Sequence, residues 1–325
     1  MLVVDQTHWT GAELGRIITV RSSGKASGVQ LSTFAQLPNV DQALPSEIST
    51  LTTDVPKSMR LITQSSAEGE CEESVLRVQG VLCQVQMPPI RADAPLPDKG
   101  EARFMKQSIR LTGLGTEHFK SAIDGLANVA IFMGESLERG DIESWTPARY
   151  RCWQAIEVSN RYFVHQNSEG DMISVPLTAD VDPDGVLAKA AGDDWVHAED
   201  NRVGYFRCAE KNGKNKYTPI KPGEFKIGDL VEVQLSVIAV KRRVRGDVYS
   251  MKLVLRAITM LNDGYTRAAR TSRMQQAASV PTSPSRGVKR TVGYMHDEEA
   301  DDGDVPTSKM TKLTVSDEVM MGGSD

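Results

Sequence analysis

Three carboxylates spaced like metal ligands, Asp180, Asp182 and Asp184, run directly into Gly185. They match the first, third, fifth and sixth positions of an EF-hand loop, where carboxylates surround calcium and glycine permits a sharp turn. Leu187 fills the usual apolar place, but the twelfth position is Ala191, which supplies no bidentate carboxylate. Pro183 and a strand-like approach over residues 173–177 also oppose an EF-hand. The favoured reading is an Asp/Pro/Gly turn capping a short helix over 186–191. His197-Ala-Glu199 copies the H-x-E half of a zinc deaminase, whose other half is a downstream Pro-Cys-x-x-Cys. Only Cys208 follows, so these residues read, with Asp200 and Asn201, as a polar turn between two short strands. A magnesium-dependent hydrolase would need Asp182, Asp184, Glu199 and Asp200 to converge, which their spacing does not require. There is no P-loop and no G-x-S-x-G, and Gly113-Leu-Gly115 lacks the third glycine of a dinucleotide fingerprint. No catalytic residue and no cofactor is assigned, and Asp180, Asp182 and Asp184 remain minor metal candidates.

Cations are the stronger lead. Lys241, Arg242, Arg243 and Arg245 crowd one turn, Lys252 and Arg256 follow on the next strand, and Arg267, Arg270 and Arg273 come after. Over 229–275 the only acids among these nine cations are Asp229, Glu232, Asp247 and Asp263, although the whole chain carries a net charge of -5. A long hairpin with cations on one face can track a phosphate backbone, as OB-type barrels do for single strands. The competing reading is an edge hairpin whose charges block unwanted strand pairing.

The elements that would hold these residues follow from periodicity. Residues 229–240 read DLVEVQLSVIAV, with Val231, Val233, Leu235 and Val237 alternating with Glu232, Gln234 and Ser236. That pattern predicts a half-buried strand with one polar face. Residues 249–261 alternate likewise, and Gly246-Asp247 between them suits a tight turn, so a long twisted antiparallel hairpin is expected. Strands are also predicted at 16–21, 75–86 and 154–159, and a helix over 116–137 with Thr116 as its cap. Gly125 and Gly134 weaken that helix by about 1 kcal/mol each. Stretches 22–57 and 87–100 read as long surface loops.

With 325 residues, 40% of them hydrophobic, the chain can bury a substantial core. Aromatic residues at 6% disfavour broad base-stacking platforms. Cys71, Cys83, Cys152 and Cys208 form no C-x-x-C pair, and with no leader-like start they read as reduced thiols of a nuclear or cytoplasmic protein. No run is long and apolar enough to span a bilayer, so no membrane contact is expected. From 276 to 325 Ser, Pro, Thr and acidic residues dominate, which predicts a disordered acidic tail. Within it, 286–290 (RGVKR) resembles a nuclear-import patch, and the acids at 297–304 could compete for the basic hairpin.

Four motifs carry a resemblance. They are Asp182-Pro-Asp-Gly-Val-Leu, His197-Ala-Glu-Asp-Asn201, Lys226-Ile-Gly-Asp-Leu-Val-Glu-Val-Gln234 and Lys252-Leu-Val-Leu-Arg-Ala-Ile258. In order and spacing they resemble an uncharacterised protein family multiplied in mushroom-forming fungi. The resemblance covers about residues 150–262 and implies a domain there, without an activity.

The expected architecture is a β-rich α+β protein, an antiparallel sheet or partly open small barrel with a long hairpin and a disordered C-terminal tail. Its expected organisation is an irregular, β-containing region over 1–140, a β-rich core over 150–265 and the tail. The expected function is a non-catalytic binding module, for single-stranded DNA or RNA, with the hairpin 226–262 as contact surface. A protein–protein scaffold is the alternative and a metal-dependent hydrolase the third reading.

Overall fold

The computed structural model describes residues 9, 11–22, 29–36, 48–54, 57–64, 71–93, 102–166, 174–211, 214–242 and 246–279. A helix, α1 (Gly11–Ser22), and a 3-10 turn (Leu31–Gln36) precede strands β1 (Ile48–Asp54), β2 (Lys57–Gln64), β3 (Cys71–Glu73) and β4 (Val75–Gln86). After β5 (Lys106–Thr112) comes the long helix α2 (Glu117–Glu135), then β6 (Asp141–Ile142), β7 (Ala148–Tyr150), β8 (Trp153–Arg161) and β9 (Val164–His165). The short helix α3 (Val186–Ala191) leads into β10 (Trp195–Val196), β11 (Gly204–Lys211) and β12 (Lys214–Pro219). The long hairpin β13 (Leu230–Lys241) and β14 (Val248–Asn262) follows, and α4 (Gly264–Ser279) ends the described elements.

Twelve of these strands join one mixed sheet, and β9 and β10 pair separately. Five strands form a partial ring: β13 pairs β4, β4 pairs β5, β5 pairs β8, β8 pairs β14, and β14 pairs β13. The β8–β14 link is parallel and consists of the single pair Ser159 and Val254. The β1–β2 hairpin extends the ring from β13, and the β11–β12 hairpin extends it from β14. This is the β-rich α+β class read from the sequence.

Alternation decides which side chains fill the ring. Leu111, Ile109, Ile156 and Val158 from β5 and β8 meet Val231, Val233, Leu255 and Ile258 in one apolar cluster. Phe119, Ile123, Leu126 and Val129 of α2 join it, as the helical spacing predicted, and Met133 extends the same face. Thr116 stands at the N-cap of α2, although its side chain makes no capping hydrogen bond. Gly125 is where the 3-10 turn seats: a Cβ there would lie 2.1 Å from the carbonyl oxygen of Leu31. The helix-propensity cost of that glycine is offset by a close approach that no other residue allows.

Several expectations change. Residues 16–21 are helical rather than extended, because Leu14 and Ile18, four apart, bury against Trp9, Val81 and Leu230. Their β-branched run favours a strand locally, but tertiary packing overrides that propensity. Within 22–57, Leu31 and Phe34 are core residues and 48–54 is a strand, so that stretch is not simply a surface loop. The hairpin is not an edge hairpin: β13 is flanked by β2 and β4 on one side and β14 on the other. Nor is β13 half-buried, since Glu232 and Ser236 on its polar face are 1% and 0% exposed.

The described residues up to 277 form one compact unit. The predicted tail begins inside α4, and the rest of it, including the patch at 286–290 and the acids at 297–304, lies outside the described residues. No described helix is long and apolar enough to cross a membrane.

Candidate functional site

The hairpin cations go to different fates. Lys241 pairs with Asp247 across the turn, and Arg242 pairs with Glu143. Arg256 is turned inward, its side chain 15% exposed. Its guanidinium donates to Glu73 and to the Asp200 carbonyl, each at 2.7 Å, and to the Ser236 hydroxyl at 3.0 Å. Arg60 reaches Glu73 at 3.1 Å and Asp200 at 2.7 Å, closing a four-charge network that ties β2, β3 and β14 to the turn at 199–201. Burial works to raise the Asp200 carboxyl, but the hydrogen bond and charge of Arg60, with Arg256 nearby, hold it below the usual carboxylate range. Lys252 is exposed and makes no ion pair among the described residues. Arg243 and Arg245 lie outside the described residues.

The three metal-loop carboxylates separate into three tasks. Asp180 pairs with Lys221 at 3.1 Å, and Asp184 accepts the Ala92 N–H at 2.9 Å. Asp182 accepts the N–H groups of Leu187 (3.1 Å) and Ala188 (2.9 Å) at the start of α3, the capping task read from the sequence. His197 bonds through Nδ1 to the Tyr162 carbonyl at 2.7 Å, and Glu199 holds Arg202 at 2.9 Å. Among the described residues no three His, Cys, Asp or Glu side chains stand together as a metal-binding group.

A different surface gathers three cations around one carboxylate. Where β5 pairs β8, Lys106 lies opposite Arg161, Ser108 opposite Ser159 and Arg110 opposite Glu157. Their neighbours Gln107, Ile109 and Leu111 are buried, so Lys106, Arg110, Glu157 and Arg161 face outward by alternation, while Ser108 between them is itself covered, 3% exposed. Gln84 and Gln86 of β4 extend this polar face, and the Ser108 hydroxyl donates to Gln86 at 2.9 Å. Glu157 is its one carboxylate, 2.5 Å from Arg110 and 3.9 Å from Lys106; Arg161 has no ion pair among the described residues.

The strip is framed by aromatic groups. Just before β5, Phe104 is 60% exposed, with the Arg103 guanidinium 4.5 Å from its ring centroid. At the start of β8, Trp153 stacks on Tyr150 with centroids 6.4 Å apart, and Arg151 lies over Tyr150 at 5.7 Å. From Arg161 to Trp153 the strand runs about 26 Å at its usual rise of ~3.3 Å per residue. The other end of the outer face is closed: α1 and Trp9 cover Val81 and Leu230, and Trp9 donates to the Gly228 carbonyl at 3.0 Å.

Sequence reading missed this strip. The signal was present in 106–111 (KQSIRL), where Lys106, Ser108 and Arg110 alternate with Gln107, Ile109 and Leu111. It becomes a surface only when β8 supplies Arg161 from 55 residues downstream of Lys106. No family model matches the chain, and no curated protein matches it.

Proposed function

We propose that the chain is a non-catalytic module that binds single-stranded nucleic acid, with the outer face of β4, β5 and β8 as its contact surface. The observation that carries this is the open strip Lys106–Arg110–Arg161, three cations against one carboxylate, with a cation–aromatic pair at each end. Cations track phosphates and exposed rings offer stacking to bases, which is how single strands are held without sequence readout. Connectivity adds support by analogy. Taken in chain order, the first ring strand pairs the second, the second the third, the third the fifth in parallel, and the fourth closes on the first. OB-type folds share that order and hold oligonucleotides on the face of their second and third strands, which here are β5 and β8. The hairpin 226–262 is a lesser candidate, because Lys241 and Arg242 each pair with a carboxylate of their own and Arg256 is turned inward onto Glu73, whereas the three strip cations have only Glu157 among them. The module belongs in the nucleus or cytoplasm, where its four free cysteines stay reduced.

Fluorescence anisotropy with labelled oligo-dT and oligo-U across a salt series tests this. Wild type should bind with micromolar or tighter affinity that falls steeply with salt. The double variant Lys106→Ala/Arg161→Ala should bind more weakly, with the salt slope reduced by about 1.4, or ~0.7 per lost phosphate contact on a single strand. Lys252→Ala should match wild type. If only Lys252→Ala weakens binding, the hairpin is the contact surface. No binding by wild type at low salt would replace nucleic acid with a protein partner.

A further inference from the structure

The β7–β8 hairpin ends in an unusual turn. Tyr150 and Trp153 are paired across it, leaving Arg151 and Cys152 as the two connecting residues. Arg151 adopts φ 54°, a left-handed conformation that costs a non-glycine residue about 1–2 kcal/mol. That conformation brings its guanidinium over Tyr150, which in turn stacks on Trp153 at an interplanar angle of 22°. The indole is seated from behind: Gly115, at φ 83°, is so close that an added Cβ would lie 3.3 Å from the indole Cδ1 and Nε1. The result is a column of guanidinium, phenol and indole with the Gly115 backbone against the indole.

Beside this column lies a cavity of about 580 Å³ lined by Thr146, Pro147, Arg149, Cys152, Trp153 and Gln154. That volume falls in the range of small-ligand sites, roughly 300–1,000 Å³. Its chemistry is specific in kind. Trp153 offers aromatic surface, and Gln154 an exposed amide able to donate and accept at once. Arg149 is exposed and has no ion pair among the described residues. The Gln154 backbone carbonyl is already engaged by the Thr112 hydroxyl at 2.8 Å, which fixes the strand beside the cavity.

We infer that this cavity is a nucleobase pocket at the end of the strip. One unpaired base stacks on Trp153, the Gln154 amide meets the base edge, and Arg149 takes the adjoining phosphate. The inference rests on the single-strand reading and adds to it a place where base, rather than backbone, is held. Trp153 ends β8 on the same face as Glu157 and Arg161, with the buried Ala155 between them.

Anisotropy with two oligonucleotides of equal length and charge, oligo-dT and its fully abasic counterpart, separates the two claims. Wild type should prefer oligo-dT. Trp153→Ala should weaken oligo-dT binding roughly 5- to 150-fold, the size of one base stack, and leave abasic binding unchanged. Trp153→Phe, which keeps a ring, should retain most of the affinity, and Gln154→Ala should lose part of it. Should Trp153→Ala fail to fold, photocrosslinking of 5-iodouracil oligonucleotide to wild type replaces it, with Trp153 as the expected adduct. Equal wild-type affinity for both oligonucleotides, an unaltered preference in Trp153→Ala, or an adduct on another segment overturns the pocket while leaving the strip. Absence of wild-type binding to either oligonucleotide overturns the single-strand reading itself.

Discussion

Replacing Arg21 with alanine removes the cation that holds α1 to the ring. Arg21 donates to Glu232 through Nη2 at 2.7 Å and through Nε at 3.2 Å, and the side chains are 9% and 2% exposed. Glu232 is left with the Gln79 amide at 2.8 Å, and its nearest remaining charge is Arg77 at 4.0 Å. A buried carboxylate stripped of its partner costs about 3–5 kcal/mol, mostly the desolvation that the lost cation had offset. Glu232→Gln removes the charge, so in that background Arg21→Ala should cost only about 1 kcal/mol, the worth of an ordinary hydrogen bond. The coupling between the two substitutions is therefore expected near 2–4 kcal/mol, read from urea titrations of the four proteins followed by circular dichroism. Amide exchange over 14–22 reports in parallel whether α1 detaches before the ring opens. An Arg21→Ala cost below about 1 kcal/mol, or no relief from Glu232→Gln, would show that Glu232 is solvated and the latch reading is wrong.

Two further outcomes follow from burial. The Asp229 carboxyl is 1% exposed, and burial pushes it above its usual value despite the N–H of Lys226 and the Thr266 hydroxyl that donate to it. The native state thus binds its proton more tightly, and the group's contribution to stability falls as pH rises from the unfolded value of about 3.9 through the raised folded value. Asp229→Asn should gain on wild type across that window in denaturant titrations at successive pH, and a relative loss would reverse the assignment. Among the thiols, Cys71 and Cys152 are exposed, while burial pushes Cys83 up to about 11 as its Sγ donates to the Arg110 carbonyl at 3.3 Å. At pH 8 a thiol reagent should modify Cys71 and Cys152 first and the half-buried Cys83 more slowly, as read by peptide mass; labelling of Cys83 as fast as Cys71 would contradict its raised pKa.

Local periodicity carried the strands at 75–86 and 154–159, the helix beginning after Thr116, and the long hairpin, although its strands end at Lys241 and resume at Val248, a longer connection than the tight turn expected at Gly246-Asp247. Each is legible because the pattern within one element reports which of its faces meets apolar neighbours. The capping task of Asp182 was legible for a similar reason, since its partners are only five and six residues away. Residues 16–21 were not, because a β-branched run is ambiguous until Leu14 and Ile18 find the outer face of β4. Glu232 alternates with valines as a solvent-facing residue would, yet Arg21, 211 positions earlier, seals it from water. Arg256 looks like a free cation in the sequence and is the hub of a network reaching back to Glu73. The strip on β5 and β8 exists only because two segments with modest patterns lie in register. Sequence alone determined the period of the strongly patterned elements and so their type. Tertiary pairing decided which polar faces are covered and which stay open, because the desolvation and partnering of a charge depend on residues far away in the chain.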